Sequence, residues 1–173
     1  MREVQLSGVE RFFEKDNIIV SKTNLKGHLT YANQTFIKIS GYVEKDLIGA
    51  PHSILRHPDM PRCVFKFMWD TIMSGQEIFA YVINRCANGD HYWVVAHVTP
   101  SYDENAEIVG YHSNRRVPDR DILDQTIIPL YQSLKAEEDK HSSRKDGMQA
   151  GYQKLIKALK DKDIGYDEFI FSL

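Results

Sequence analysis

The sequence predicts an α+β fold: a five-stranded antiparallel sheet with short helices on one face, followed by a helical extension. Three observations predict it. Two short β-branched runs stand near the start, three more lie between residues 78 and 117, and helical periodicity fills the segment between these groups and everything after Asp119. At 173 residues, 42% hydrophobic and 27% charged, the chain suits one globular domain plus that extension.

"NIIVSKTNLKGHLTYANQTF" contains the first two strands, residues 17–23 and 28–32, joined by a turn at Asn24–Gly27. Asn33 stands where a helix N-cap belongs, ahead of "QTFIKIS", and Gly41 supplies the stop. A short helix follows in "VEKDLIGA". Then comes the bend "RHPDMP", residues 56–61, stiffened by two prolines and offering only Met60 to a core. "RCVFKFMWDTIMSG" is the longest helix of the first half. It is followed by the strands "IFAYVINRC", "HYWVVAHVTP" and "IVGYHSNRRV", the first two joined at Asn88-Gly89.

Beyond Asp119, Ile127, Leu130, Tyr131 and Leu134 form one helical stripe, and Met148, Tyr152, Leu155, Ile156 and Leu159 another. "EEDKHSSRKDG" between them is polar enough for a loop or flexible joint, and the apolar tail "YDEFIFSL" must pack back on the domain or onto a partner. The expected division is an N-terminal cap segment at 1–16, a sheet domain at 17–118 and a helical extension at 119–173.

A formal net charge of −2 gives no global attraction to nucleic acid or an anionic membrane. Cys63 and Cys86 are too few for a disulfide framework and lack zinc-site spacing, so free structural thiols are expected. No apolar run approaches the about 20 residues of a bilayer span, which places the chain in the cytoplasm. There is no Gly-rich phosphate loop, catalytic serine motif or kinase signature, and an enzyme is not expected.

The blocks "GHLTYANQTFIKISGYVEKDLIGA", "PHSILRHPDMP", "MWDTIMSG", "NRCANGDHYWVVAHVTP" and "IVGYHSNRR" together resemble a PAS domain over residues 17–117. More narrowly, they resemble the PAS sensors of bacterial aerotaxis and energy taxis, the Aer and CetB type. The resemblance implies a PAS fold holding FAD non-covalently between sheet and helices, with redox state signalled to a separate transmembrane methyl-accepting chemotaxis-type receptor. It also implies recruitment to the inner face of the membrane by that receptor, and a homodimer through N- and C-terminal helices.

Carried over by position, the flavin-site residues are Asn33, Arg56, His57, Asp59, Phe65, Trp69 and Asn84. Their chemistry is suitable. Arg56 presents a fork of donors for phosphate oxygens, and His57 can donate to a phosphate or the ring edge. Asp59 can orient either residue or receive a ribose hydroxyl. Phe65 and Trp69 offer aromatic walls, and Asn84 offers both donor and acceptor to the ring's polar edge. Asn33 serves equally as a helix cap, and the aromatics equally as core. Ile78 and Ala80 stand where members of this type have tryptophan and glycine, and His97 where they have an amide.

Two other readings remain open. A haem-binding PAS sensor would use His52 or His57 as axial ligand. A cofactor-free PAS interaction module would have Ile78 filling the slot and pair through its terminal stripes, Val4, Val9, Phe12 and Phe13 at one end. A metal held by His52, His57 and Asp59 is disfavoured by the adjacent arginine. A light-driven cysteine adduct is disfavoured because Cys63 lies past the bend.

Overall fold

The computed structural model describes residues 4–173. Strands β1 (Ile19–Asn24), β2 (Leu29–Ala32), β3 (Ile78–Arg85), β4 (His91–Tyr102) and β5 (Ile108–Arg116) form one sheet in the order β2-β1-β5-β4-β3. Every pairing is antiparallel. Helices α1 (Gln34–Ser40), α2 (Glu44–Leu47) and α3 (Arg62–Met73), with a 3₁₀ turn at His52–Leu55, cover one face. This is the predicted α+β architecture.

Local chemistry accounts for the boundaries. Asn33 caps α1 by accepting from the Phe36 N–H at 3.0 Å, and Gly41 closes it with φ 70°. The β3–β4 turn closes through the Cys86 N–H to the Asp90 carbonyl, 2.7 Å. Gly89, at φ 92°, is required there, because a Cβ would collide with the Gln5 carbonyl of the N-terminal segment crossing the turn.

That segment is not the N-terminal helix that the resemblance implies. Residues 4–16 contain no helix; Ser7, Val9 and Arg11 pair by backbone hydrogen bonds with Gly89 and His91, as an extended strap. Asp90 pins the strap, accepting from Ser7 Oγ at 2.6 Å and Arg11 Nε at 2.7 Å. These donors hold its carboxyl down at about 2. Val9 and Phe12 face solvent instead of packing as a stripe.

The extension forms α4 (Arg120–Ile122), a π-helical turn (Leu123–Ile127), α5 (Ile128–Glu138), α6 (Arg144–Asp161) and α7 (Tyr166–Phe171). The π turn, in which the Ile128 N–H reaches the Leu123 carbonyl, relieves the clash that Pro129 would force on a regular helix. The α5–α6 pair lies on the outer side of α3. Its buried stripe on α6 is Gly147, Gly151, Leu155 and Leu159, so two glycines replace the predicted Met148 and Tyr152, which are only half-buried. The tail packs back on the domain: Tyr166 meets Phe67 at 4.6 Å and Phe171 meets Phe79 at 5.0 Å.

"EEDKHSSRKDG", which reads as a polar joint, is mostly ordered. Its Glu138 ends α5 with no solvent exposure at all. Among the described residues no helix is long and apolar enough to cross a membrane.

Candidate functional site

A slot opens between the inner face of the sheet and α3. On α3, Phe65, Met68, Trp69 and Ile72 fall at i, i+3, i+4 and i+7, so all four line it from one side. Opposite them, strand alternation turns Val82, Ala96 and Val98 inward with Tyr111, Ser113 and Arg115 of β5. Small side chains at Val82 and Ala96 leave the space open. The cavity itself measures about 80 Å³.

Its deep end is polar because of the sheet register. Ser21 pairs directly with Ser113, and Arg115 sits between Ile19 and Ala96. Arg115 is 3% exposed. Its Nη2 donates to Ser21 Oγ at 3.0 Å and to His52 Nε2 at 2.7 Å, while Nη1 and Ser113 Oγ have no partner among the described residues. Neither contact is a carboxylate. Burial lowers the guanidinium pKa to about 10, and burial together with Arg115 and Arg56 pushes His52 down to about 3. His52 is therefore neutral and accepts at Nε2, with its proton on Nδ1.

The sign of the resulting pH effect is definite. An unfolded His52 takes up a proton near its ordinary 6.5, which the folded state refuses until about 3. Stability is therefore full above the unfolded value and falls as pH drops through this window. Thermal melts of wild type and His52→Gln between about pH 7 and 4 should show a steeper acid loss for wild type.

A second chamber shares His52, Phe65 and Trp69 with the slot and adds Lys26, Ser53, Arg56 and Asn84. It has two cations and no acid in its lining. Arg56 reaches it from the bend, whose backbone bridges to Asn84 of β3, and its guanidinium lies 4.7 Å from the Phe65 ring centre. Asn84 is 1% exposed, and its amide nitrogen is without a partner among the described residues. A slot with aromatic walls, a cationic deep end and a cationic mouth suits a planar aromatic ligand that carries acceptors along one edge and an anionic tail.

Of the seven residues assigned from sequence, Arg56, Phe65, Trp69 and Asn84 meet at this pocket. Three others stand outside its lining. Asn33 spends its amide on the framework: Oδ1 accepts from Val20 N and Phe36 N, and Nδ2 donates to the Ile18 carbonyl at 2.7 Å. His57 is turned inward behind the bend, 5.5 Å from the His91 ring, with Nδ1 accepting from the Asp59 N–H at 3.2 Å. Asp59 is exposed, with a carboxylate oxygen 3.6 Å from His57 Nδ1, beyond hydrogen-bond distance of a nitrogen that already accepts from the Asp59 N–H. Asn33→Ala should accordingly cost about 1–2 kcal/mol in urea unfolding while leaving the pocket lining in place.

Arg115, Ser21, Ser113 and Lys26 were missed by sequence reasoning. The available signal was the alternation in "YHSNRR", which sets Arg115 on the same face as Tyr111 and Ser113. The three unusual positions are resolved as well. Ile78 and Ala80 are fully buried but outside the pocket lining, so Ile78 does not fill the slot. His97 points to the opposite face of the sheet, stacked on Phe79 at 4.1 Å with Nε2 2.7 Å from Glu77. Both cysteines are buried and free, and no three potential metal ligands cluster among the described residues.

Comparison with known proteins agrees with this geometry. Residues 29–115 match the family model described as PAS fold. The chain is 43% identical over 122 residues, 70% of its length, to the aerotaxis receptor of Escherichia coli K12. It is 27% identical over 103 residues to the nitrogen fixation regulatory protein of Klebsiella pneumoniae. These matches span 24% and 21% of those two proteins. In fold, the chain is similar to the light-state structure of the blue-light photoreceptor Aureochrome1 LOV, with a TM-score of 0.55 at 20% identity over 65% of this chain and 89% of that one. On the family match, the five-stranded sheet and the 43% identity, the chain belongs to the PAS family, as a domain of the aerotaxis-receptor type.

Proposed function

We propose that this chain is a redox sensor of energy taxis that holds FAD non-covalently and signals to a transmembrane methyl-accepting chemotaxis-type receptor. The observation that carries the flavin reading is Arg115. A buried guanidinium with a free Nη1, beside Ser113 and His52 at the end of an aromatic slot, lacks an acceptor that a flavin's polar edge supplies. Phe65 and Trp69 would flank the ring, Asn84 would meet its polar edge, and Arg56 and Lys26 would receive the pyrophosphate.

A bound flavin contributes reversible uptake of electrons and a proton. The protein's part is to orient it and to alter hydrogen bonding at its edge. Asn84, with both donor and acceptor, can follow a change in protonation there, whereas Arg115 stays charged across physiological pH and only donates. Haem is the weaker reading: His52, the histidine of this pocket, already has Nε2 against a guanidinium that opposes an iron cation. Cys63 is no adduct former, since its thiol lies toward Gly151 of α6, where burial and Glu138 push its pKa up.

The absorbance spectrum of purified protein tests this. Two broad near-ultraviolet and blue bands that bleach with dithionite support flavin, a Soret band supports haem, and a colourless protein supports a cofactor-free module. The partner is tested by binding to membranes that contain the receptor against membranes that lack it, and a homodimer by solution mass.

A further inference from the structure

The deep end of the slot gathers hydrogen-bond donors and offers them no acid. Arg115 and Ser113 stand two residues apart on β5, so both side chains turn inward, and both are buried. Arg115 Nη1 and Ser113 Oγ have no partner among the described residues. The guanidinium's other contacts are neutral: Ser21 Oγ at 3.0 Å, His52 Nε2 at 2.7 Å and the Phe36 ring centre at 5.6 Å. Among the described residues neither aspartate nor glutamate lines the slot. A buried cation is stable when an opposite charge meets it, and a guanidinium has no neutral form to adopt at physiological pH.

The space beside these donors sets the size and kind of ion. A cavity of about 80 Å³ matches two or three waters, at about 30 Å³ each. Its remaining walls, among them Met68, Trp69, Ile72 and Val98, are apolar. An entering anion therefore exchanges its hydration shell for the free side of one guanidinium and one hydroxyl. That exchange suits a small monovalent ion. It defeats sulfate or phosphate, whose greater charge and tetrahedral oxygens need several donors.

We propose that the deep end of the slot is a binding site for a small monovalent inorganic anion of the halide class, held by Arg115 Nη1 and Ser113 Oγ when no larger ligand occupies the slot. The anion neutralises Arg115 in the ligand-free fold. It leaves when a ligand brings its own acceptor to the same two donors, so the two compete. The site itself does not rest on the flavin reading; only the competition with FAD does.

The test is thermal unfolding of the full chain, stripped of FAD, at constant ionic strength, with sodium chloride or bromide exchanged against sodium gluconate, whose anion is too large for the cavity. At a halide concentration about ten times its Kd, the unfolding constant of wild type should fall about elevenfold, and the effect should saturate. Arg115→Met should show no such fall and Ser113→Ala a smaller one. Equal shifts in wild type and Arg115→Met are a general salt effect and overturn the proposal, as does a wild type that ignores the halide. Anomalous scattering from bromide in crystals of the stripped wild type needs no variant. A peak against Arg115 Nη1 and Ser113 Oγ supports the site; surface peaks alone, an adventitious ion only, overturn it.

FAD binding separates the two readings. If a flavin edge sits at Arg115, the same halide concentration should weaken FAD binding about elevenfold as well. Halide stabilisation without that competition, or in a protein that takes up no FAD, supports the anion site and overturns the placement of a flavin edge at Arg115.

Discussion

On the proposed flavin reading, Arg115→Met is expected to fold and to lose the chromophore. Wild type should purify with bound chromophore, and the variant should fall to less than about a tenth of that occupancy, because each 1.4 kcal/mol of lost binding is tenfold and hydrogen bonds to a charged donor contribute about 1.5–3 kcal/mol each. The companion measurement is stability without ligand. A guanidinium that is 3% exposed and unmatched by any carboxylate burdens the empty fold, and replacing such a charge with an apolar side chain is often neutral or stabilising by about 1–4 kcal/mol.

Ligand-free Arg115→Met should therefore be at least as stable as ligand-free wild type in urea. If Arg115 only braced Ser21 and His52, the variant would be less stable and still yellow. Arg115→Lys should fall between, since an ammonium keeps the charge but cannot serve Ser21, His52 and a ligand edge in one plane.

Glu138→Ala is expected to have the largest effect on the fold itself. It removes the shared acceptor of two backbone N–H groups and the Arg62 side chain, and it empties the space beneath Gly151. Breaking a buried ionic contact of this kind costs about 3–5 kcal/mol, a large share of a domain's stability. Urea unfolding should show that loss as a lower midpoint. A loss below about 0.5 kcal/mol, the range of an ordinary surface substitution, would mean that Glu138 is not what seats the extension.

The two residues behind these predictions were hidden in the sequence for related reasons. "EEDKHSSRKDG" has the composition of a solvated joint, and nothing local marks Glu138 apart from Glu137 beside it. Arg115 stands next to Arg116 in a strand that begins the polar junction to α4, where two arginines look like a soluble edge. By contrast, the cap at Asn33, the stop at Gly41 and the Asn88-Gly89 turn were legible because each is decided within a few residues by backbone geometry and one side chain. The bend was legible in part. Its prolines announced rigidity, but which of Arg56, His57 and Asp59 faces the pocket depends on the backbone bridge from Arg56 to Asn84.

What the sequence by itself determined is the α+β class and the strands, helices and turns that follow residue 17, because periodicity and turn chemistry act over short separations, while the aromatic side of α3 and the cationic corner at Arg56 were implied by the PAS resemblance. What only the tertiary structure decided is which buried charges have partners. Arg115 meets Ser21 through strand register across 94 residues, and Glu138 meets α3 across 76. Such pairings follow from how the sheet closes and how two helices pack, and a polar side chain shows no sign of them in its own neighbourhood.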